Sequence, residues 1–285
     1  MCDIFKYKES TDYDINEQKW IELQSRELEK QKKQLMSLLE KEFEKQKQEL
    51  WVELKEEADK RRKDSWDQLK KEHERRNSEL INQLNTRLEK FYEMMRELGW
   101  PPHGEMNVAE AKRIVEADII EKEELENMIN DYYLRKFNVE VVSSFLVKWK
   151  ENKIIEKRIP ILEQAISAHI SGNYFLSVCV LLSQLEGIIA YSESHTGQMR
   201  GSQMLGYLDK AIPENDAYDF GYAYKKFFID KIYCGFKHGE RIGSPISRHA
   251  ILHGADVDFG TEVNSLKAIL IFDNLLYFFT KKVID

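Results

Sequence analysis

The chain has 285 residues, of which 42% are hydrophobic and 33% are charged, and its formal net charge at pH 7 is −7. This length can hold one large domain or two smaller ones, and the acidic balance excludes a protein that is basic over its whole surface. Any contact with nucleic acid must therefore come from a local basic patch.

The N-terminal sequence indicates a cytoplasmic protein with no membrane partner. Residues 1–16 are expected to form a tail, and they lack the basic and then apolar pattern of a signal peptide. Three scattered cysteines make neither a disulfide framework nor a paired metal site. The two most apolar stretches, Phe175 to Tyr191 and Leu266 to Phe279, are interrupted by polar or charged residues. Neither stretch is predicted to span a membrane.

Residues 17–98 are predicted to form a coiled-coil rod. No proline or glycine interrupts Trp20 to Leu98, and strong helix formers dominate. The segment carries 20 basic and 20 acidic residues, so its net charge is zero. An apolar stripe recurs at steps of four or seven residues, at Leu28, Leu35, Leu39, Phe43, Leu50, Leu54 and Ala58, and resumes from Leu80 to Leu98. This stripe favours a homomeric coiled coil, and a solvated charged helix is the alternative.

The rest of the chain is also predicted to be helical, which makes the fold class all-α. Two prolines and two glycines in Gly99-Trp-Pro-Pro-His-Gly104 end the rod. Residues 99–156 are expected to form a helical connector and residues 157–285 a helical bundle. No stretch shows the two-residue alternation of a strand. The helices predicted in the bundle are Ile159–Ile170, Tyr174–Ser192, Met199–Ala211, Ala217–Phe236, a short motif helix, and a last helix that Thr261 caps and that ends near Thr280.

The stretch SRHAILHGAD, from Ser247 to Asp256, combines one arginine with two histidines. Ser247 is expected to cap a short helix that begins at Arg248 and stops at Gly254, with a phosphate at its N-terminus. His249 and His253 are four residues apart, so they are expected to project from one face. The spacing Arg-x4-His alone is weak evidence, because about one match with four to six intervening residues is expected by chance. Arg96 and His103, with six residues between them, are such a chance match.

Residues 224–254 form a basic patch, with six lysines or arginines and two acidic residues. Its cations are expected to contact phosphates and its aromatic side chains to stack on bases. The predicted RNA-binding residues are Lys225, Lys226, Lys231, Lys237 and Arg241.

Four other side chains have weaker assignments. Glu186 lies on an apolar helix and needs a partner, for which Arg248 and His253 are candidates and a structural pair with a lysine or a backbone group is the alternative. Glu186 is therefore expected to support the site. The remaining assignments place three histidines at the surface or in loops: His169, His195 and His238.

The segment SRHAILHG, followed by DFGTEVNSLKAILIFDNLL, resembles the C-terminal part of HEPN-superfamily proteins. The stretch ILEQAISAHISGNYFLSVCVLLSQLEGII resembles the first two helices of such domains. The resemblance covers roughly residues 157–285 and implies a ribonuclease of the bacterial toxin or abortive-infection type, with Arg248, His249 and His253 as catalytic residues. It also implies a dimer in which two motifs share one cleft. His249 stands where Asn or Asp is frequent in the family, so its role stays open.

The expected activity is metal-independent cleavage of RNA, without a cofactor. His253 would take or give a proton at the 2′-oxygen or the leaving 5′-oxygen, and Arg248 would compensate charge on the phosphoryl oxygens. His249 would orient the phosphate or share the proton transfer. The expected partners are RNA such as tRNA or mRNA, a second copy in a homodimer or higher homo-oligomer, and an antitoxin or a sensor ATPase. The expected setting is antiphage defence or a toxin system.

Two other functions fit the same residues. His249 and His253 have the spacing of metal ligands on a helix, and Asp256 and Asp258 lie nearby in the sequence. A non-catalytic coiled-coil adaptor, or a module that binds nucleotides or RNA, is the other alternative.

Overall fold

Helices make up the regular secondary structure of the part of the chain that the computed structural model describes, and no strand occurs there. The described residues are 10–105, 109–110, 113, 116, 121–212 and 219–281, with side chains described within 17–280. The predicted all-α fold class is confirmed. Contacts divide the chain into two units, Met1–Ser78 and Glu79–Asp285.

One long helix, Ser10–Glu97, contains all of the described first unit. It begins seven residues before the predicted rod, within the segment predicted as a tail. Every described side chain from residue 17 to residue 78 is exposed, and this includes the apolar stripe. Ion pairs in this unit join neighbours along the helix, as between Arg61 and Glu57 at 2.6 Å. Such exposed pairs contribute little stability.

The long helix ends at a position that favours glycine. Gly99 has a φ of +70°, and the amide of Trp100 donates a hydrogen bond to the carbonyl of Met95 at 2.8 Å. This left-handed termination is typical of a helix C-terminus. Trp100 then enters the core, where its indole N–H donates to the Asn130 side chain at 2.9 Å.

The core of the second unit is built around two helices that pack against each other. They are Tyr174–Ser192, called here the central helix, and Glu262–Lys281, called here the final helix. Ile159–Ile170 packs on both. Thr261 caps the final helix as predicted, because its hydroxyl accepts a hydrogen bond from the backbone amide of Asn264. The other elements of this unit are Lys122–Lys136, Val139–Lys150, the 3-10 helix Lys153–Arg158, Gly201–Ala211, Phe220–Phe227, the π-helix Phe228–Ile232 and Arg248–Leu252.

The predicted connector, residues 99–156, contributes to the same hydrophobic core as the predicted bundle. Trp149 is fully buried, and its indole N–H donates to the Asp273 carboxylate of the final helix at 2.8 Å. Burial alone raises the pKa of Asp273, but hydrogen bonds from His103 and Trp149 and the nearby Lys148 bring it below its ordinary value. The boundary expected near residue 156 therefore does not separate two cores.

The central helix matches its predicted bounds, but it is not buried all round. Phe175, Leu176 and Tyr191 are exposed, whereas the helix packs on its neighbours through its other side. It is the one helix among the described residues that could cross a membrane by length and composition alone. Its extensive packing against two other helices is what a core helix shows.

Two further predicted helices are shorter than expected. The predicted helix Ala217–Phe236 begins at Phe220, with Asp219 as its N-cap, and it passes into a π-helix that ends at Ile232. Residues 217–218 lie outside the described part. The helix predicted from Met199 begins at Gly201. The loop that follows Ile232 leads toward the motif.

Candidate active site

The predicted motif comprises a short helix, Arg248–Leu252, that packs against the central helix, and its C-cap residue His253. The Ser247 hydroxyl accepts from the Ala250 amide at 3.3 Å and donates to the Cys234 carbonyl at 3.3 Å. Gly254 follows with a φ of +72°. The predicted cap and the predicted stop of this motif helix are confirmed.

The N-terminus of the motif helix is an unfavourable place for a phosphate. Ser247 is fully buried, and the helix has only five residues. A helix this short has little of the aligned dipole that attracts anions. The phosphate position expected at this N-terminus is therefore not supported, and the side chains must account for any binding of RNA.

Arg248 is held by side chains from two other segments. Its Nη2 lies 2.7 Å from Oε2 of Glu186 on the central helix, and its guanidinium carbon lies 5.5 Å from the centre of the Tyr233 ring. The Arg248 side chain is 15% exposed and that of Glu186 is 33% exposed. Glu186 thus supplies the counter-charge that a mostly buried guanidinium requires. Of the two partners proposed for Glu186 at the site, the structure selects Arg248.

His249 and His253 lie side by side, as their spacing predicts. Their ring centres are 6.2 Å apart and their planes differ by 16°. Tyr233 contacts His249 edge to face at 5.1 Å, and Phe236 stacks on His253 at 5.9 Å. His238 meets the ring of Phe236 at 5.1 Å. These five rings form one continuous group, called here the ring row, in the order Tyr233, His249, His253, Phe236, His238.

The ring row runs from a half-buried end to an exposed end. His249 and Tyr233 are half-buried, whereas His253 and His238 are exposed. Burial lowers the pKa of His249 below 6.5, Arg248 and His253 lower it further, and Glu186 opposes them. Burial raises the pKa of Tyr233 to about 12, with Arg248 opposing and Glu186 adding. At pH 7, His249 is therefore a neutral imidazole beside a protonated phenol.

The predicted RNA-binding residues do not form one exposed basic group. Lys225 is buried and lies 3.0 Å from Asp209, so the structure does not offer its ammonium to RNA. The other four differ in exposure and pairing: Lys226 is exposed and 3.9 Å from Asp230, Lys231 is half-buried, Lys237 is exposed and 3.3 Å from Glu240, and Arg241 is exposed. Acidic partners thus reduce the positive charge expected of this patch.

Most aromatic side chains of the basic patch belong to the core. Tyr224, Phe227 and Phe228 are fully buried, so the expectation that they stack on bases is wrong. Tyr233 and Phe236 are only partly buried and belong to the ring row. Sequence reasoning did not single out these two residues. Their positions shortly before the motif were a signal, but the sequence does not distinguish them from the core aromatics.

The three histidines that were predicted to lie at the surface or in loops differ in burial. His169 is buried, and its Nδ1 lies 2.8 Å from the Ser265 hydroxyl, so the prediction of a surface or loop position is wrong. His195 is half-buried, with Nδ1 3.0 Å from the Tyr207 hydroxyl. His238 is exposed in a loop, as predicted.

The second Arg and His match has separate partners. Arg96 pairs with Asp230 at 3.1 Å, and His103 is buried 3.3 Å from Asp273. Arg96 and His103 therefore belong to separate ion pairs and do not form one site, unlike Arg248 and the histidines of the motif. It is consistent with the coincidence that the sequence suggests.

The alternative metal site lacks a set of ligands. Asp256 is buried, and its Oδ1 accepts from the Asp258 amide at 2.9 Å. Within the described ranges, no three His, Cys, Asp or Glu side chains are placed to hold one metal ion. His249 and His253 instead contact each other as stacked rings.

Comparisons with models of protein families, with curated proteins and with solved structures found no match to this chain. A functional assignment therefore depends on the motif and on the geometry around it.

Proposed function

We propose that the protein is a metal-independent endoribonuclease in which Arg248, His249 and His253 are the catalytic residues. The observation that carries the proposal is the pair of nearly parallel imidazoles, 6.2 Å apart, one on the motif helix that begins at Arg248 and the other at its C-cap. Two imidazoles and a guanidinium are the groups that proton transfer and charge compensation at a phosphate require. The resemblance of residues 157–285 to HEPN ribonucleases supports the same assignment.

The two imidazoles can divide the two proton transfers between them. The RNA 2′-oxygen attacks the adjacent phosphorus, and the bond from phosphorus to the 5′-oxygen breaks. His249 is neutral at pH 7 because its pKa is lowered, so it is suited to accept the 2′-hydroxyl proton. His253 is exposed beside it and would give a proton to the leaving 5′-oxygen. DNA has no 2′-hydroxyl, so it is not a substrate.

Arg248 would balance the negative charge that develops on the phosphoryl oxygens. In the described structure its guanidinium is paired with Glu186 and packed on Tyr233. An RNA phosphate must therefore share the guanidinium with the carboxylate or displace it. Glu186 is a supporting residue in this scheme, because it holds the arginine in place before RNA binds.

The proposal also includes the oligomeric state of the protein, its location and its biological role. The exposed apolar stripe of the first unit supports a coiled-coil homodimer or a higher homo-oligomer, in which tethering raises the local concentration of the second site. Each chain would contribute one Arg248 and His253 set to a shared cleft. The proposed location is the cytoplasm, the substrate is tRNA or mRNA, and an antitoxin or sensor ATPase would control a toxin or antiphage activity.

A non-catalytic adaptor or RNA-binding module is the second candidate. The burial of Arg248 and its ion pair with Glu186 favour this alternative, because both are typical of an arginine with a structural role. In that case the ring row would bind RNA or a nucleotide by stacking, without cleavage.

Incubation of purified protein with tRNA and total RNA in excess chelator tests the proposal. We expect the wild type to cleave RNA and to leave DNA of the same sequence intact. Arg248→Ala and His253→Ala should each reduce the rate by roughly 100-fold or more. The matched control is His73→Ala, which removes an exposed histidine of the first unit. Equal cleavage by all four proteins, or cleavage by none, contradicts the proposal, and RNA binding without cleavage supports the adaptor.

A further inference from the structure

A cavity of about 570 Å³ lies in the second unit, away from every residue of the motif and the ring row. It lies between Val139–Lys150, the 3-10 helix Lys153–Arg158 and the final helix. Small-molecule sites typically have volumes of roughly 300–1,000 Å³. The side chain of Lys148, which lines the cavity, is 60% exposed, so the cavity opens to solvent.

The walls of this cavity are mainly apolar. Ile154 and Tyr277 contribute accessible aliphatic and aromatic surface, and the buried side chains of Trp149 and Leu276 complete the lining. Trp149 is held in position because its indole N–H donates to the Asp273 carboxylate at 2.8 Å. A preformed apolar wall of this kind favours a ligand with an aryl or alkyl body.

The uncharged polar side chains of the cavity already bond to each other. Asn152 donates from its amide nitrogen to the Thr280 hydroxyl at 2.6 Å and accepts from the Ile154 amide at 3.0 Å. The Thr280 hydroxyl donates to the Leu276 carbonyl at 2.6 Å. Since buried polar groups are normally satisfied, these atoms make no demand for a polar ligand group.

The charged side chains that line the cavity differ in whether they already form hydrogen bonds or ion pairs. Asp273 is buried, accepts from Trp149 and His103, and lies 3.3 Å from Lys148, so it is already compensated. Lys153 is exposed, and no ion pair or hydrogen bond of its side chain occurs among the described residues. Among the described residues, Glu151 is the one other carboxylate that lines the cavity, and it is exposed.

We propose that this cavity binds a small amphipathic anion, with an aryl or alkyl body and an oxyanion head. The body would lie against Ile154 and Tyr277, and the head would contact the ammonium group of Lys153. Lys148 shares its ammonium with Asp273, whereas that of Lys153 has no partner among the described residues, so the unused donors at the mouth are those of Lys153. This site does not depend on the proposed ribonuclease activity.

Titration of the full chain with 8-anilinonaphthalene-1-sulfonate, an aryl sulfonate, tests the site by fluorescence at low salt. Lys153→Glu should weaken binding roughly fivefold, because it replaces an attraction by a repulsion. Glu151→Gln should tighten binding up to about twofold, because it removes a repulsion. The matched control Lys157→Glu changes an exposed lysine that does not line the cavity, and it should leave the affinity unchanged.

A second pair of measurements separates the apolar body from the charged head. Ile154→Trp narrows the cavity without a change of charge and should weaken the sulfonate roughly fivefold or more. Its neutral analogue, N-phenyl-1-naphthylamine, should respond to Ile154→Trp but not to Lys153→Glu. Equal effects of Lys153→Glu and Lys157→Glu overturn the proposal, as does sulfonate binding that none of the substitutions changes. If Ile154→Trp does not fold, the three exposed-charge variants decide the result.

Discussion

The guanidinium of Arg248 and the carboxylate of Glu186 form an ion pair of 2.7 Å that joins the motif helix to the central helix. Because both groups are largely withdrawn from solvent, the loss of either leaves the other without compensation. We expect Glu186→Gln and Arg248→Met each to destabilise the protein by about 1–2 kcal/mol. The double variant should recover about 1 kcal/mol relative to the sum of the single variants.

Urea unfolding of this double-mutant cycle provides the measurement. The control cycle uses Lys237 and Glu240, an exposed pair at 3.3 Å, whose coupling should stay below about 0.5 kcal/mol. An equal coupling energy in the two cycles would show that burial does not strengthen the Arg248 pair.

The two partners of that ion pair should shift the pKa of His249 in opposite directions. Burial is the main cause of its lowered pKa, Arg248 lowers it further, and Glu186 raises it. Arg248→Met should therefore raise the pKa of His249, whereas Glu186→Gln should lower it. Proton NMR titration of the imidazole Cε1–H signal, assigned with His249→Ala, measures both shifts. Shifts of the same sign in both variants would contradict the described arrangement.

Local sequence signals correctly predicted several helix ends and side-chain positions, because the interactions that decide them join residues close together in the sequence. Thr261 caps the final helix, and Ser247 and Gly254 likewise lie at the two ends of the motif. The spacing of His249 and His253 likewise placed them side by side. Caps, glycines and helical periodicity act over a few residues, so one sequence is enough to identify them.

Tertiary packing determines which aromatic and charged side chains are buried or paired, and the sequence alone did not predict these. Tyr224 and Phe236 occur in the same aromatic stretch, yet Tyr224 is fully buried and Phe236 belongs to the ring row. Lys225 is paired inside the protein because Asp209 of another helix meets it. His103 and Asp273, 170 residues apart, join the predicted connector to the final helix. Such choices depend on which helices become neighbours, and no local pattern reports that.

Lys267 should make stability depend on pH above neutrality. It is almost fully buried, with its Nζ 4.9 Å from the centre of the Trp100 ring. Burial lowers the pKa of Lys267 from 10.5 to about 8, Glu126 opposes this shift, and Lys231 adds to it. Between pH 8 and pH 10.5 the unfolded chain therefore binds more protons than the folded chain at this residue, so stability rises with pH there.

The size of this effect can be measured against a variant that cannot titrate. The free energy of unfolding of the wild type, minus that of Lys267→Met, should rise by about 3 kcal/mol between pH 7 and pH 10.5. It should be constant below pH 7, where the lysine is protonated in both states. Urea unfolding at each pH measures the difference, in which other titrating groups cancel. A difference that does not change with pH would mean that Lys267 is solvated.

Self-association should depend on one side of the long helix. Leu50 and Leu54 belong to the apolar stripe, and Val52, which is similarly exposed, lies about 200° around the helix from each of them. Leu50→Asp and Leu54→Asp should each convert the proposed oligomer to monomer at micromolar concentration, because each places a charge in the expected interface. Val52→Asp introduces the same charge on the opposite side and should sediment like the wild type. Analytical ultracentrifugation distinguishes these results. If all three variants sediment alike, the stripe is not the interface, and any association must arise elsewhere in the chain.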